Sequence, residues 1–249
     1  MRTSSTESGD AVNLATFDSM LTEVTSYGSR YNPAKDALKP AALTDLLNKA
    51  KTVAALVTEA LTAYQIAIDN RTEAFNPIHQ LVTKANNALK ASDTSTEIEA
   101  TADSLVRKLR GERASAKKTE EEKRTALAEG KSAKEISSAQ TGIDNRIAFF
   151  GQFISLLTTA GTYAPNETEL QIGSLQSFHD TLKAKDAAAI TAGIQLSNAR
   201  IERDKIFYNK DTGMLDIARD IKTYVKSAFG YTSPEYRSIT KYQFKRKVS

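Results

Sequence analysis

Apolar residues along this chain recur at steps of three and four, and that spacing predicts helix nearly everywhere. Leu14, Phe17, Leu21 and Val24 form the stripe of a first helix that ends near Gly28. Pro33 and Pro40 punctuate the connection, and Pro40 suits the first position of the next helix, where a missing N–H costs nothing. From there Leu43, Leu47, Ala50, Ala54, Val57, Leu61, Tyr64, Ile68, Arg71 and Phe75 alternate four and three as a heptad seam. The seam implies a helix of about 36 residues, or roughly 54 Å at the helical rise. Pro77 opens a third helix with Ile78, Leu81 or Val82, Ala85 and Leu89 inward.

A second set follows the same plan. Ile136, Ile143, Ile147, Phe150, Ile154 and Leu157 mark a helix that Ser132 and Glu135 can open as a capping box. A long helix then runs from near Ser174 to Tyr208, with a weaker stripe because His179, Asp186 and Arg200 stand where Leu47, Ala54 and Ile68 stand in the first set. Met214, Ile217, Ile221, Val225 and Phe229 mark the last long stripe. Between the sets, Thr96 to Arg110 reads as a helix with Ile98, Ala102, Leu105 and Leu109 inward, and Thr96 and Glu99 again have capping-box spacing. Residues 112–130 are charged or small, as in a solvated helix or a linker.

Laid on itself at an offset of 132 residues, the chain brings Phe17 onto Phe149, Tyr31 onto Tyr163, Pro33 onto Pro165, Arg71 onto Arg203 and Phe75 onto Phe207. About four extra residues around Asn209 to Gly213 precede the last helix. A period this long is outside the range of solenoid repeats and implies duplication of a whole helical unit. The expected fold is all-α, an elongated antiparallel helical bundle built from two tandem copies of a short-long-short helix unit. The expected segments are a disordered N-terminus at 1–11, repeat one at 12–92, a connecting helix and charged linker at 93–131, repeat two at 132–231 and a basic tail at 232–249.

Composition narrows the chemistry. The 249 residues include no Cys, which removes disulfides, thiolate metal sites and Cys nucleophiles. With 40% hydrophobic and 26% charged residues there is enough apolar material for a packed core. The opening MRTSSTESGD lacks the apolar stretch of a secretory signal, and no run approaches the ~18 apolar residues of a membrane span, so a cytoplasmic protein without a membrane partner is expected. The formal charge of +4 resides in the tail, where Arg237, Lys241, Lys245, Arg246 and Lys247 face only Glu235.

Few constellations point to catalysis. Neither His79 nor His179 has the Glu three residues before it that a ferritin-like dimetal site needs. Gly130-Lys131-Ser132 lacks the first Gly and the leading strand of a phosphate-binding loop. No cofactor, metal or catalytic residue is therefore expected. Arg71 and Arg203, each four residues before a Phe, need a carboxylate partner if buried, and a register-fixing ion pair is the expected role of each. Tyr31-x-Pro33 and Tyr163-x-Pro165 are expected to anchor the turns that lead into the long helices. Arg107, Lys108, Arg110, Arg113, Lys117 and Lys118 form a basic cluster, and the tail interleaves its cations with Tyr236, Tyr242 and Phe244. Basic and aromatic groups together can neutralise phosphates and stack on bases.

The duplicated Tyr-x-Pro and Arg-x-x-x-Phe elements, the ending Lys222-Thr223-Tyr224-Val225-Lys226-Ser227, Ser233-Pro234-Glu235-Tyr236 and the basic close resemble an uncharacterised family of internally duplicated, all-helical bacterial proteins of the Bacteroidetes type. The resemblance implies a free-standing bacterial protein and carries no activity or site residue. The expected function is that of a non-enzymatic structural or interaction protein, meeting a protein partner or copies of itself through helical surfaces. The alternative is a nucleic-acid-associated protein using the tail and the 107–118 cluster.

Overall fold

A computed structural model describes residues 5–112, 119–129 and 142–245. Among these residues the protein is all-helical with no strand, so its cores are built by helix packing on helix. The helices are α1 (Ser5–Ser26), α2 (Pro40–Phe75), α3 (Ile78–Lys90), α4 (Thr96–Arg110), α5 (Glu120–Ala128), α6 (Ile143–Ala160), α7 (Ile172–Tyr208), α8 (Met214–Phe229) and α9 (Pro234–Ile239). Pro40 does open α2, and the 36 residues of that helix carry the heptad seam without a break. Residues 5–11, expected to be disordered, instead belong to α1. Asp10 in that turn is buried and paired with Arg203, an anchor that no apolar stripe announces.

The chain forms two compact units. The first takes the described residues up to Gln65 together with those from Thr191 onward, and the second takes Ile66–Ile190. Neither coincides with residues 12–92 or 132–231, because each long helix is divided between the units, α2 after Gln65 and α7 after Ile190. In the first unit, Phe17, Met20 and Val24 of α1 pack with Leu43 and Leu47 of α2, Phe207 of α7, and Met214, Ile217, Ile221 and Val225 of α8. In the second, Phe75, Ile78, Val82 and Leu89 share a core with Leu105 and Leu109 of α4, Phe150 and Phe153 of α6, and Leu175 and Leu182 of α7. Val82, not Leu81, is the fully buried member of the pair the spacing left open.

Helix ends follow local chemistry. Ser95, one residue before the expected Thr96, caps α4 by accepting from the Ile98 N–H, and Gly111 closes the helix in the left-handed conformation at φ 73°. Ser233 caps α9 by accepting from the Tyr236 N–H at 3.0 Å. Between α7 and α8 the turn is tight enough that a Cβ on Gly213 would lie 2.6 Å from the Asn209 backbone, so only glycine fits there. The capping pair Ser132 and Glu135, and Ile136, lie outside the described residues.

Candidate functional site

The two Tyr-x-Pro loops are built alike. Tyr31 donates to the Leu38 carbonyl at 3.0 Å, and Tyr163 to the Leu170 carbonyl at 2.8 Å. Each ring is buried, and each carbonyl ends a one-turn 3₁₀ segment, Asp36–Leu38 or Thr168–Leu170, that leads into a long helix. Burial pushes the Tyr163 hydroxyl pKa up to about 12, and that of Tyr31 further in the same direction. Both hydroxyls are therefore committed donors, and their surroundings are those of turn anchors.

The paired arginines are also engaged. Arg71 meets Asp186 at 2.8 Å within the second unit. In the first unit, Arg203 lies 2.9 Å from Asp10 Oδ2 and donates from Nη2 to Asp204 Oδ1 at 2.8 Å. Tyr208 donates to the other Asp10 oxygen. Burial, reinforced by that carboxylate, pushes the Tyr208 pKa well above the ordinary phenol value. Every charge in this group is matched by another charge or a hydrogen bond, which leaves little with which to grip a ligand.

Of the cluster on α4, the structure describes Arg107, Lys108 and Arg110; Arg113, Lys117 and Lys118 lie outside the described residues. Lys108 Nζ sits 5.0 Å from the Phe149 ring centre, and Arg110 donates to Thr83 and lies 3.7 Å from Glu112. Arg146 of α6, which the sequence did not single out, joins them. Its guanidinium covers the Phe75 ring at 5.0 Å, and its buried Nε has no hydrogen-bond partner among the described residues. Burial and the neighbouring Arg146 and Arg110 charges hold the His79 imidazole below its usual range, with Glu112 acting the other way. This end of the second unit gathers more positive than negative charge.

The C-terminal segment is docked as far as it is described. Asn13, fully buried in α1, donates to the Lys245 carbonyl at 2.8 Å and accepts from the Lys245 N–H at 2.7 Å, pairing with the segment as a strand neighbour would. Phe244 and Tyr242 pack against the core of the first unit. Rings expected to stack on bases are thus already in use. Arg237 and Lys241 remain exposed, and Arg246 and Lys247 lie outside the described residues.

Docking of this segment beside α8 leaves an open cavity of about 480 Å³ in the first unit. Leu215, Asp216, Arg219 and Lys222 line it from one face of α8, opposite Phe244 and beside Tyr208. Asp216 pairs with Arg219 at 3.1 Å, and Arg219 also lies 4.0 Å from Asp220. Lys222 has no carboxylate partner among the described residues. It donates to the Tyr242 carbonyl, its Nζ lies 5.9 Å from the Phe244 ring centre, and burial alone lowers its pKa. Sequence spacing could have put residues 215, 219 and 222 on one helix face, but not the strap that docks beside them.

No group of three or more His, Asp or Glu among the described residues could hold a metal ion, and no helix there is long and apolar enough to cross a membrane. Compared with protein-family models, curated sequences and solved structures, the chain finds no match.

Proposed function

We propose that this chain is a non-enzymatic structural protein that pairs with a second copy of itself through α7. The observation that carries the reading is a pair of exposed isoleucines on that helix within the first unit: Ile194 and Ile201 are 57% and 50% exposed. With exposed Ser197 between them they keep the three-and-four spacing of a heptad seam, on a face the core of that unit does not use. A stripe of like apolar residues is self-complementary under twofold symmetry, and Thr191, Gln195 and Asn198 beside it bring no charge to repel a second copy. Light scattering over a concentration series tests this. The full chain is expected to shift from monomer to dimer, and Ile194→Glu with Ile201→Glu to hold it monomeric at unchanged melting temperature; a chain that stays monomeric throughout refutes the proposal.

A second reading, nucleic-acid binding, is favoured by Arg146 and Lys108, which have no carboxylate partner among the described residues and stand in the same unit as Arg107 and Arg110. Under this reading Lys108→Ala with Arg110→Ala lowers DNA or RNA affinity and flattens its salt dependence together, since each phosphate contact releases counterions. Equal affinity and slope in the variant would end it.

Tandem duplication accounts for both units at once. Its support is the matched pairs: Tyr31 to Leu38 with Tyr163 to Leu170, two 3₁₀ turns, two long helices, and an Arg four residues before a buried Phe in each. On this reading each unit takes the opening half of one copy and the closing half of the other.

A further inference from the structure

We infer that the cavity beside the C-terminal strap binds a small organic monoanion, a carboxylate carrying one apolar ring system. At about 480 Å³ it falls within the ~300–1,000 Å³ range of small-molecule sites. Two cations, Arg219 and Lys222, line it against one carboxylate, Asp216, which already serves Arg219 and the Asp211 N–H at 2.9 Å. Lys222 is thus a half-buried ammonium with one donor spent on the Tyr242 carbonyl and, among the described residues, no counter-ion for the others. Among the described lining residues that leaves an excess of one positive charge, which fits a monoanion better than a phosphate dianion. Leu215, Phe244 and the Tyr208 ring supply apolar wall, because the Tyr208 hydroxyl is turned to Asp10. These apolar groups stand in one lining with the polar Asp216, Arg219, Lys222 and Gln243, a mixture that selects an amphiphilic acid over an inorganic ion.

The test is titration of the full chain with 2-naphthoate, followed by calorimetry and amide NMR shifts, beside 2-naphthalenemethanol and inorganic phosphate. Saturable one-to-one naphthoate binding is expected, with the alcohol and phosphate each at least about tenfold weaker. Lys222→Met is expected to weaken naphthoate by about tenfold or more, whereas Lys226→Met, on the same helix outside the cavity, leaves it unchanged. Because Lys222 also holds the strap, Leu215→Trp provides an independent check: it fills the cavity without changing charge and is expected to abolish binding at a near-native melting temperature. Absence of saturable binding below about 10 mM, equal affinity for the alcohol, or binding that survives both Lys222→Met and Leu215→Trp would overturn the inference. None of these readings depends on self-association.

Discussion

Arg71 and Arg203 each precede a buried Phe by four residues, yet their surroundings give them different weights. Arg71 keeps 22% of its side chain in contact with water, whereas Arg203 and Asp10 are 4% and 3% exposed. Breaking a buried pair strands a charge and costs about 3–5 kcal/mol, while a pair open to solvent contributes about 1 kcal/mol or less. Arg203→Met is therefore expected to lower urea-unfolding stability by about 3–5 kcal/mol and Arg71→Met by less, about 1–3 kcal/mol, because Arg71 is partly solvated although the Asp186 it leaves behind is buried. Adding Asp10→Leu to Arg203→Met removes the stranded carboxylate and should recover much of the loss. That these arginines need carboxylates is legible from an apolar seam interrupted by a charge. Which carboxylates serve is not, since Asp186 is 115 residues from Arg71 and Asp10 sits in a run of Ser, Thr and Gly with no apolar signal.

Among the elements, the α3–α4 hairpin shows how a polar contact supplements an apolar stripe. Asn86, buried in α3, donates to Asp103 Oδ1 at 2.7 Å, and Lys90 donates to Oδ2 at 2.8 Å. The Lys90 bond first and the Asn86 bond second hold the Asp103 carboxyl below the usual aspartate range, against a smaller opposing effect of burial. A depressed folded-state pKa stabilises the fold above the unfolded value of about 3.9, and that contribution is lost as pH falls through the folded value. Asp103→Asn is thus expected to be less stable than the native chain at pH 7, by no more than about 1 kcal/mol because the carboxylate is exposed. The gap in melting temperature should close on acidification below about pH 4; a gap that persists to pH 2 would exclude this origin. Helix positions were readable because the three-and-four spacing survives even in α7, whose polar interruptions find partners elsewhere. His179 there donates from Nε2 to the Ile147 carbonyl at 3.1 Å, and a Cβ on Gly151 would come within 3.2 Å of the same nitrogen. A glycine in α6 and a histidine in α7 are thus one feature, which neither helix reveals alone.

For the molecule as a whole, the seam of α2 is the reason that the division into units cannot be read from sequence. It runs from Leu43 to Phe75 without a break in spacing, although Leu43 belongs to the core of one unit and Phe75 to that of the other. Burial alone marks the passage: Val57 is buried, Leu61, Tyr64 and Ile68 are half-exposed, and Phe75 is buried again. Each core therefore mixes residues from before α5 with residues from after α6 begins. Phe17, Leu43 and Leu47 share theirs with Phe207, Ile217 and Ile221, and Ile78 and Leu89 share theirs with Phe150 and Leu175. If α5 is cut by an inserted protease site, neither fragment retains a complete core, because each core takes apolar residues from both fragments. The two fragments are expected to co-elute after cleavage with helical circular dichroism intact, since the contacts within each unit survive the loss of one covalent link. Separated in urea and returned singly to buffer, each is expected to lose its cooperative melt, and mixing is expected to restore it. Two fragments that part on the column and each melt cooperatively alone would show instead that residues before and after α5 fold as independent halves.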